Sequence, residues 1–456
     1  MRFSSRPIAT PLRKIMALCA SAALTASVFA QTITIGLSGD IIAFDPHYHN
    51  VGPNNAAAAH VFDHLVNMDE RQRLVPGLAL SWKAIDDLNW EFKLRKGVKW
   101  HDGADFTADD VVFTLDRVPK VPNSPSSFST YVKNIKSIKA VDSHTLVMTT
   151  EKPHPLLPND LATVYVISKK AATGASTDDF NTGKAAIGTG PYKFSRFAKG
   201  DRLELVRNDA WWGGKTPWEK ATLRILTNDP ARVAALLAGD IQVIENAPTS
   251  DISRLKSDKN LSIARVGSNR LIYLHMDSNR EVAPFITDKA GKPLAKNPLK
   301  DARVRKAISL AINRDAIVGK VMEGEAVAAG QPLPDGYPGT SKNLKPDKFD
   351  ATAAKKLLAD AGYPDGFGIT IHAPNNRYVN DEQIAQAIAQ MLTRVGIATK
   401  VEAMPSSVYF TRATKLDFSL MLLGWSAGSG EMSDSLRPLL GTFDTKKGWG
   451  NANRGR

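Results

Sequence analysis

The sequence contains one cysteine among 456 residues, and this scarcity limits how the fold is held together. Cys19 lies in an N-terminal stretch that is typical of a leader, and Leu18 before it is larger than the residue a lipoprotein cysteine requires. A mature chain without the leader has no thiol and no disulfide. We therefore expect a fold stabilised by burial of apolar surface alone, which a chain of this length permits.

No acidic residue occurs before Asp40, and this absence marks the leader. Four cations open it, and the apolar run IMALCASAALTASVFA follows them. The four are Arg2, Arg6, Arg13 and Lys14. This order is typical of a secretory signal peptide at residues 1–30, with cleavage expected after Ala30. The run is too short and too rich in alanine and serine for a membrane anchor.

Basic residues never form a run longer than a pair, although the formal net charge is +13. Removing the four leader cations from +13 leaves a formal net charge of +9. A nucleic-acid groove concentrates lysine and arginine and interleaves them with aromatic residues. Since neither feature is present, we expect a solvated basic surface and no nucleic-acid partner.

No histidine follows His372, and this absence bears on the motif Gly424-Trp425-Ser426-Ala427-Gly428. The motif matches G-x-S-x-G, the nucleophile turn of α/β-hydrolases, which place the acid and the histidine after the serine. Without a downstream base, the Ser426 hydroxyl is a poor nucleophile. A rim that binds a ligand is the stronger hypothesis, and a secreted serine hydrolase stays open as an alternative.

The last third of the sequence has the clearest secondary-structure pattern. Strand patterns at 368–374, 397–404 and 417–423 alternate with two helical patterns. The right-handed crossover rule folds this β-α-β-α-β order into a parallel sheet. Ligands of such sheets lie at the carboxyl ends of the strands. Two loops leave such ends, APNNRYVN at 373–380 and GWSAGSGEMS at 424–433.

Patterns of alternating polarity predict further strands ahead of this part. The stretch QTITIGLSGD at 31–40 predicts a strand, and residues 54–68 predict a helix. Residues 90–94 alternate like a strand. Thr107 and Asp110, three residues apart, form a capping box for the helix that follows.

Five stretches together resemble one family, the extracellular solute-binding proteins of ABC importers, family 5, which is the peptide and nickel group. They occur in the family's order and span most of residues 32–430. They are LVPGLALSW, WEFKLRKGVKWHDGADFTADDVVFTLDR, IGTGPYKF, LKDARVRKAISLAINRDAIV and AGYPDGF. The resemblance implies a monomeric periplasmic receptor, without a cofactor and without enzymatic activity. It closes around a peptide or small organic solute and hands it to ABC transporter permease subunits in the inner membrane.

The resemblance also implies an α/β fold of the periplasmic binding protein-like class, with two lobes joined by a hinge plus an additional β-rich α/β domain. The first lobe is discontinuous, at 31–74 and 188–270, and the additional domain occupies 75–187. The second lobe occupies 271–456. Since family members run further and return to the first lobe, we expect that this C-terminal return is missing from the sequence.

The resemblance implies roles for residues of the first loop. In dipeptide binders of the family, an arginine and a tyrosine at about this place hold the ligand's carboxylate and line the pocket. Arg377 and Tyr378 stand there. An arginine matches a carboxylate through two hydrogen bonds and keeps its charge. Asn375 and Asn376 beside them are expected to offer hydrogen bonds to the ligand.

The second loop offers Trp425 for stacking, Ser426 for hydrogen bonds, and backbone amides. The family often has an acid just after its Gly-Trp pair, which holds the α-ammonium of a peptide ligand. Ala427 or Gly428 occupies that position here. A ligand with an anionic end and no free amine suits this departure.

Two further groups of residues complete the candidate site. The loop after the first strand is expected to face the cleft from the opposite lobe, which makes Asp45, His47 and Tyr48 candidates. Glu431 or Asp434 could replace the missing acid by reaching back to the ligand. Both fit equally well in the first turn of the next helix, where they stabilise its positive end, so the two readings stay open.

The histidines raise a second alternative, a metal-binding or metallophore-binding protein. His60 and His64 stand four residues apart in the predicted helix, a spacing that can hold Zn or Ni on one helix face. His47 and His49 flank Tyr48. Because no carboxylate pattern accompanies them, surface histidines are expected and no metal ligand is assigned.

Overall fold

The computed structural model describes residues 31–444 and 449–455. The predicted signal peptide, residues 1–30 with its cleavage after Ala30, lies outside the described residues. The strands of the described ranges are β1 (Thr32–Leu37), β2 (Val66–Met68), β3 (Leu74–Pro76), β4 (Ala79–Ala84), β5 (Asn89–Leu94), β6 (Ile135–Asp142), β7 (Thr145–Thr150), β8 (Tyr192–Ala198), β9 (Arg202–Arg207), β10 (Lys220–Ile225), β11 (Val243–Ile244), β12 (Arg270–Met276), β13 (Ile286–Thr287), β14 (Phe367–Pro374), β15 (Ile397–Met404) and β16 (Leu420–Ser426).

The α-helices of the same ranges are α1 (Gly52–Ala58), α2 (Ala108–Arg117), α3 (Ser129–Val132), α4 (Leu157–Leu161), α5 (Lys169–Ala172), α6 (Thr177–Asn181), α7 (Asp229–Leu237), α8 (Ile252–Ser257), α9 (Ala302–Ala311), α10 (Arg314–Ala316), α11 (Ala351–Asp360), α12 (Asp381–Arg394), α13 (Ser406–Thr414) and α14 (Ser433–Leu440). Short 3-10 turns occupy Val118–Lys120, Thr249–Asp251 and Pro298–Lys300, and a π-helical turn occupies Ile317–Val321. Among the described residues, no helix is both long enough and apolar enough to span a bilayer.

The first sheet joins the two segments predicted for the first lobe. Its strand order is β11-β1-β10-β9-β8, with β1 parallel to both of its neighbours. Leu37, Leu203 and Leu223 are buried in the core of this sheet. Tyr165 and Phe180 join the same core, although they belong to the range predicted for the additional domain. The cores of the two parts are therefore built partly from each other's segments.

A separate antiparallel sheet, of strand order β4-β5-β7-β6, lies within the range predicted for the additional domain. Phe92 and Met148 turn their side chains into its core, where α2 packs against them. The predicted capping box at the start of α2 is present, because the Asp110 carboxylate accepts a hydrogen bond from the Thr107 N–H at 2.9 Å. This bond satisfies a backbone group that the first helical turn leaves unpaired.

The second large sheet confirms the predicted β-α-β-α-β unit. Strand β14 lies parallel to β15 along its whole length and parallel to β16 on its other edge, at Ile371 and His372. Strand β12 then pairs with β16 in antiparallel register. An apolar stripe of α12 is buried at Ile384, Ile388 and Leu392 in the core of this sheet. Fold class and topology agree with the sequence expectation here.

The helix predicted at 54–68 is shorter than expected. α1 ends at Ala58, and the chain then turns and runs beside residues 188–190. There the Val61 carbonyl accepts a hydrogen bond from the Gly190 N–H at 2.9 Å. A Cβ at Gly188 would lie 1.7 Å from the Val61 carbonyl oxygen, so the two backbones approach as closely as they do only because Gly188 has no side chain. These bonds to a distant segment replace the helical bonds that the local sequence favours.

Candidate functional site

The loops that follow β14 and β16 meet, as expected from the strand-end rule. The Tyr378 hydroxyl donates to the Gly424 carbonyl at 3.3 Å. A Cβ at Gly424 would lie 2.6 Å from a ring carbon of Tyr378, so glycine is what allows the ring to lie over the strand end. Residues 375–378 and 424–428 therefore form one continuous surface, which we name the strand-end surface.

Asp381, at the start of α12, fixes the first of these loops. Its buried carboxylate accepts hydrogen bonds from the backbone N–H groups of Arg377 and Tyr378, both at 2.9 Å. The negative charge also lies at the positive end of the helix. This pairing folds the loop over the helix terminus and holds the two residues side by side.

The two asparagines of the first loop differ in what they do. The Asn376 side-chain carbonyl accepts the Ser406 N–H at 2.8 Å and so caps α13. Asn375 is exposed, and its backbone N–H donates to the Met404 carbonyl at 3.1 Å. Of the pair, Asn375 has the side chain that is more available for a ligand.

Arg377 is exposed beside Tyr378, with its guanidinium carbon 5.5 Å from the centre of the Tyr378 ring. Burial raises the pKa of Tyr378, so its hydroxyl stays protonated and able to donate. The charged guanidinium of Arg377 can bind an anionic group through several N–H donors at once, beside the Tyr378 ring.

In the second loop, the two acids are engaged locally. The Glu431 carboxylate accepts the Ser433 N–H at 2.8 Å, at the start of α14. The Asp434 carboxylate accepts the Ser429 N–H at 2.9 Å, which closes the loop on itself. Burial raises the pKa of Asp434. Both acids therefore support the loop and the helix that follows, and Glu431 fits the helix-end reading in particular.

Three of the predicted residues of this loop differ in burial and in their contacts. Trp425 is half-buried, and its indole N–H donates to the Asp434 carbonyl at 3.1 Å. Ala427 is buried beside Leu333 and Met432, and its carbonyl accepts a hydrogen bond from the Asn269 amide at 2.6 Å. Gly428 is exposed.

Ser426 is the last residue of β16, and its geometry differs from that of a hydrolase nucleophile. It lies in the extended ladder opposite Arg270, and its φ is not positive, whereas the nucleophile of the hydrolase motif lies on a sharp, strained turn. Among the described residues, no histidine forms a hydrogen bond with the Ser426 hydroxyl. The serine thus lacks both the turn and the base that the motif needs.

Asp45 and His47, in the loop after β1, contact Arg117 and Tyr165. Both oxygens of the buried Asp45 carboxylate pair with the Arg117 guanidinium, at 3.0 and 2.6 Å. His47 donates from Nε2 to the Tyr165 carbonyl at 2.7 Å and accepts from Arg117 at Nδ1, 3.1 Å away. Burial lowers the pKa of His47 to about 4, so the ring is neutral. Tyr48, next to them, is half-buried.

Side chains from outside the second sheet close over the strand-end surface. The Asn159 amide donates to the Ser429 carbonyl at 2.8 Å, and the Tyr131 hydroxyl lies 3.0 Å from where a Cβ of Gly428 would be. The Asn50 amide donates to the same hydroxyl at 3.3 Å. Sequence patterns gave no signal for these residues, because each contact joins segments that are far apart in the chain. Together they bring Asn159 and Tyr131 against the loop that follows β16.

The histidine pair of the metal alternative is not arranged as predicted. Because α1 ends at Ala58, His60 and His64 do not share a helix face. His60 donates from Nδ1 to the Ala56 carbonyl at 2.9 Å, and His64 is stacked on Tyr165 with ring centres 4.0 Å apart. Within residues 31–444 and 449–455, no group of three or more His, Cys, Asp or Glu side chains is placed to hold a metal ion.

Comparison with known proteins shows the family of this chain and relatives that match most of its length. The sequence profile of the bacterial extracellular solute-binding proteins, family 5 Middle, matches residues 73–447. The dipeptide-binding protein of Escherichia coli is 27% identical over 455 residues, which cover 93% of this chain and 81% of that protein. The di/tripeptide-binding protein 1 of Pseudomonas aeruginosa is 30% identical over 461 residues, which cover 94% of this chain and 82% of that protein.

A solved structure agrees with these relatives. The periplasmic binding protein DppA from Helicobacter pylori, associated with an ABC transporter and bound to the peptide STSA, superposes with a TM-score of 0.67 at 26% identity. The match covers 89% of this chain and 80% of that protein.

Proposed function

Because the chain belongs to the bacterial extracellular solute-binding proteins of family 5, we propose that it captures a peptide or small organic solute between its two lobes. Members of this family are the substrate-binding components of ABC importers and bind their substrates without converting them. The proposal includes a periplasmic, monomeric receptor that delivers the solute to permease subunits of the inner membrane. The peptide ligands of the relatives support the choice of ligand class.

The strand-end surface is the observation that carries the proposal. It combines an exposed guanidinium, Arg377, with the aromatic rings of Tyr378 and Trp425 and the side chains of Asn375 and Ser426. Cation, aromatic faces and a few directed polar groups are what a small-molecule site needs for affinity and orientation.

Closure is the second element of the proposed mechanism. Asn159 and Tyr131 reach the same surface from the opposite side of the cleft. A ligand that contacts both sides favours the closed state by its differential affinity for that state. In this proposal Asp45 and His47 hold the loop after β1 in place through Arg117, and Tyr48 is the residue of that loop that contacts the ligand.

Thermal unfolding in the presence of a dipeptide and tripeptide library tests the proposal. A ligand that binds only the folded state raises the melting temperature with its concentration. We expect such a rise for wild type, together with a smaller radius of gyration in solution scattering. Arg377→Ala should lose most of the rise.

Arg394→Ala is the matched control, because Arg394 is also exposed but lies at the far end of α12. It should respond to ligand as wild type does. The proposal is wrong if no library member stabilises the wild-type protein, or if Arg377→Ala responds as the control does.

A further inference from the structure

A second arginine, which the sequence patterns did not single out, lies next to the proposed anion-binding residue. Arg270 is the first residue of β12 and is paired in register with Ser426. Its guanidinium carbon lies 5.8 Å from the centre of the Tyr378 ring, and that of Arg377 lies 5.5 Å from the same centre. Two cations therefore share one aromatic ring.

Neither of these two cations has a carboxylate partner among the described residues, unlike several arginines elsewhere in the chain. Arg280, Arg303 and Arg412 each form an ion pair with an acid close by. Desolvation and the positive charge of Arg377 lower the pKa of Arg270, as expected when two cations face each other without an anion between them.

A third guanidinium adds to the positive potential around the ring. The Nε of Arg454 is buried and has no hydrogen-bond partner among the described residues. Burial raises the pKa of Tyr378, and the charges of Arg377, Arg270 and Arg454 act in the opposite direction. Such a concentration of unpaired positive charge stabilises an anion with more than one charge.

We propose that Arg270 is a specificity-determining residue that, together with Arg377, selects ligands with two neighbouring carboxylates at the end that meets the strand-end surface. A peptide that ends in aspartate or glutamate has this chemistry, and so has a free dicarboxylate. Each guanidinium can bind one carboxylate through two N–H donors. The inference rests on the proposed function, since it names the ligand class of the same site.

Isothermal titration with Ala-Glu and Ala-Gln tests the inference, because the two dipeptides have nearly the same size and differ in one charge. We expect wild type to bind Ala-Glu at least about tenfold more tightly than Ala-Gln at low ionic strength. Arg270→Gln should reduce this ratio to about twofold or less and leave the affinity for Ala-Gln nearly unchanged. Arg377→Gln should weaken the binding of both dipeptides, and Arg394→Gln should change the affinity for neither dipeptide.

Glutarate, which has two carboxylates and no peptide bond, distinguishes a free dicarboxylate from an acidic peptide as the ligand. Tighter binding of glutarate than of Ala-Glu, lost in Arg270→Gln, supports a free dicarboxylate as the ligand, and the reverse order supports an acidic peptide. Equal affinity for Ala-Glu and Ala-Gln, or a preference that survives Arg270→Gln, overturns the inference and leaves the proposed function standing. No binding of any peptide or of glutarate by wild type overturns both.

Discussion

The side-chain amide of Asn380 donates to the Thr249 hydroxyl at 2.9 Å and to the Val321 carbonyl at 2.7 Å. Asn380 itself has a left-handed backbone, with φ of 53°, at the end of the loop that holds Arg377 and Tyr378. One side chain thereby joins three segments, namely the loop before α12, the π-helical turn, and the turn that follows β11. The position of the loop at residues 375–380 thus depends on contacts with the turn at Thr249 and with the π-helical turn.

Two substitutions of Asn380 distinguish the contribution of its side-chain hydrogen bonds to stability from that of its backbone conformation. Asn380→Gly keeps the left-handed conformation and removes both bonds, which should lower the free energy of unfolding by about 1–3 kcal/mol. Asn380→Ala should cost about 1 kcal/mol more, because a residue with a Cβ is strained there. Urea unfolding measures both values.

Asn123 provides the control for this series. It has a φ of 54° in an exposed loop. Asn123→Gly should unfold at nearly the same urea concentration as wild type. If Asn380→Gly behaves in the same way, the amide of Asn380 does not hold the three segments together.

The ion pair between Asp45 and Arg117 gives a second prediction. Replacing the buried carboxylate in Asp45→Asn leaves the cation without its partner, so we expect a loss of about 3 kcal/mol at neutral pH. Asp116→Asn, which removes the acid of an exposed pair with Lys120, should leave stability close to wild type. Denaturant unfolding of the three proteins at pH 7 compares these costs.

The same pair predicts a pH dependence. Burial opposes ionisation of Asp45, but the hydrogen bonds and charge of Arg117 outweigh it, so the pKa of Asp45 lies below the usual 3.8. A carboxylate with a lowered pKa stabilises the fold above its unfolded-state pKa and loses this effect as the pH falls through the folded-state value. The difference between wild type and Asp45→Asn should therefore shrink below pH 3.8. A difference that stays constant down to acid unfolding contradicts the assignment.

The parts of the structure that could be predicted are those with a local cause. The stripe of Ile384, Ile388 and Leu392 gave α12 because helical periodicity lies within one segment. The meeting of the two ligand loops followed from topology, since parallel neighbouring strands end at the same edge of their sheet. Neither inference needed knowledge of a distant contact.

The features that the sequence did not predict depend on contacts between residues far apart in the chain. α1 stops at Ala58 because the next residues bond to the stretch around Gly190, more than a hundred positions away. The pairing of Asp45 with Arg117, 72 residues further along, had no signal in the sequence. Arg270 gave no signal because its register with Ser426 is set by the pairing of β12 with β16. Periodicity carries no information on such pairings.

Three buried histidines predict how stability changes between pH 6.5 and 4. Burial lowers the pKa of His47, His64 and His101 from 6.5 to about 4 each. In this window the unfolded chain binds protons that the folded chain does not, so the free energy of unfolding falls as the pH is lowered. Each histidine contributes on the order of 2–3 kcal/mol over the whole window.

Chemical unfolding at a series of pH values measures the slope of the free energy of unfolding against pH. His64→Phe keeps a ring against Tyr165 and removes one titrating group, so its stability should fall less steeply than that of wild type. Equal slopes for His64→Phe and wild type would mean that His64 binds its proton equally in the folded and the unfolded chain, which contradicts the lowered pKa.

The close approach at Gly188 predicts a large local effect. Gly188→Ala puts a methyl group into the Val61 carbonyl, and both partners are backbone atoms that cannot move aside. We expect a loss of about 3 kcal/mol or more in the free energy of unfolding. Gly52→Ala is the control, since nothing lies within 4 Å of a Cβ there and the residue begins α1. It should be neutral or slightly stabilising.

The last prediction concerns Ser426 and the hydrolase motif around it. Catalysis by a serine needs a base that takes the hydroxyl proton, and the residues described around Ser426 provide an arginine opposite it and no hydrogen-bonded histidine. A cationic neighbour cannot accept a proton, so the hydroxyl keeps the reactivity of an ordinary alcohol. We expect the purified protein to hydrolyse short-chain p-nitrophenyl esters no faster than buffer and to resist labelling by a fluorophosphonate. Ser426→Ala should match wild type in both assays and should weaken binding of a stabilising ligand by about tenfold or less, since it removes one hydrogen bond. Ester turnover or labelling that disappears in Ser426→Ala would show instead that the serine reacts.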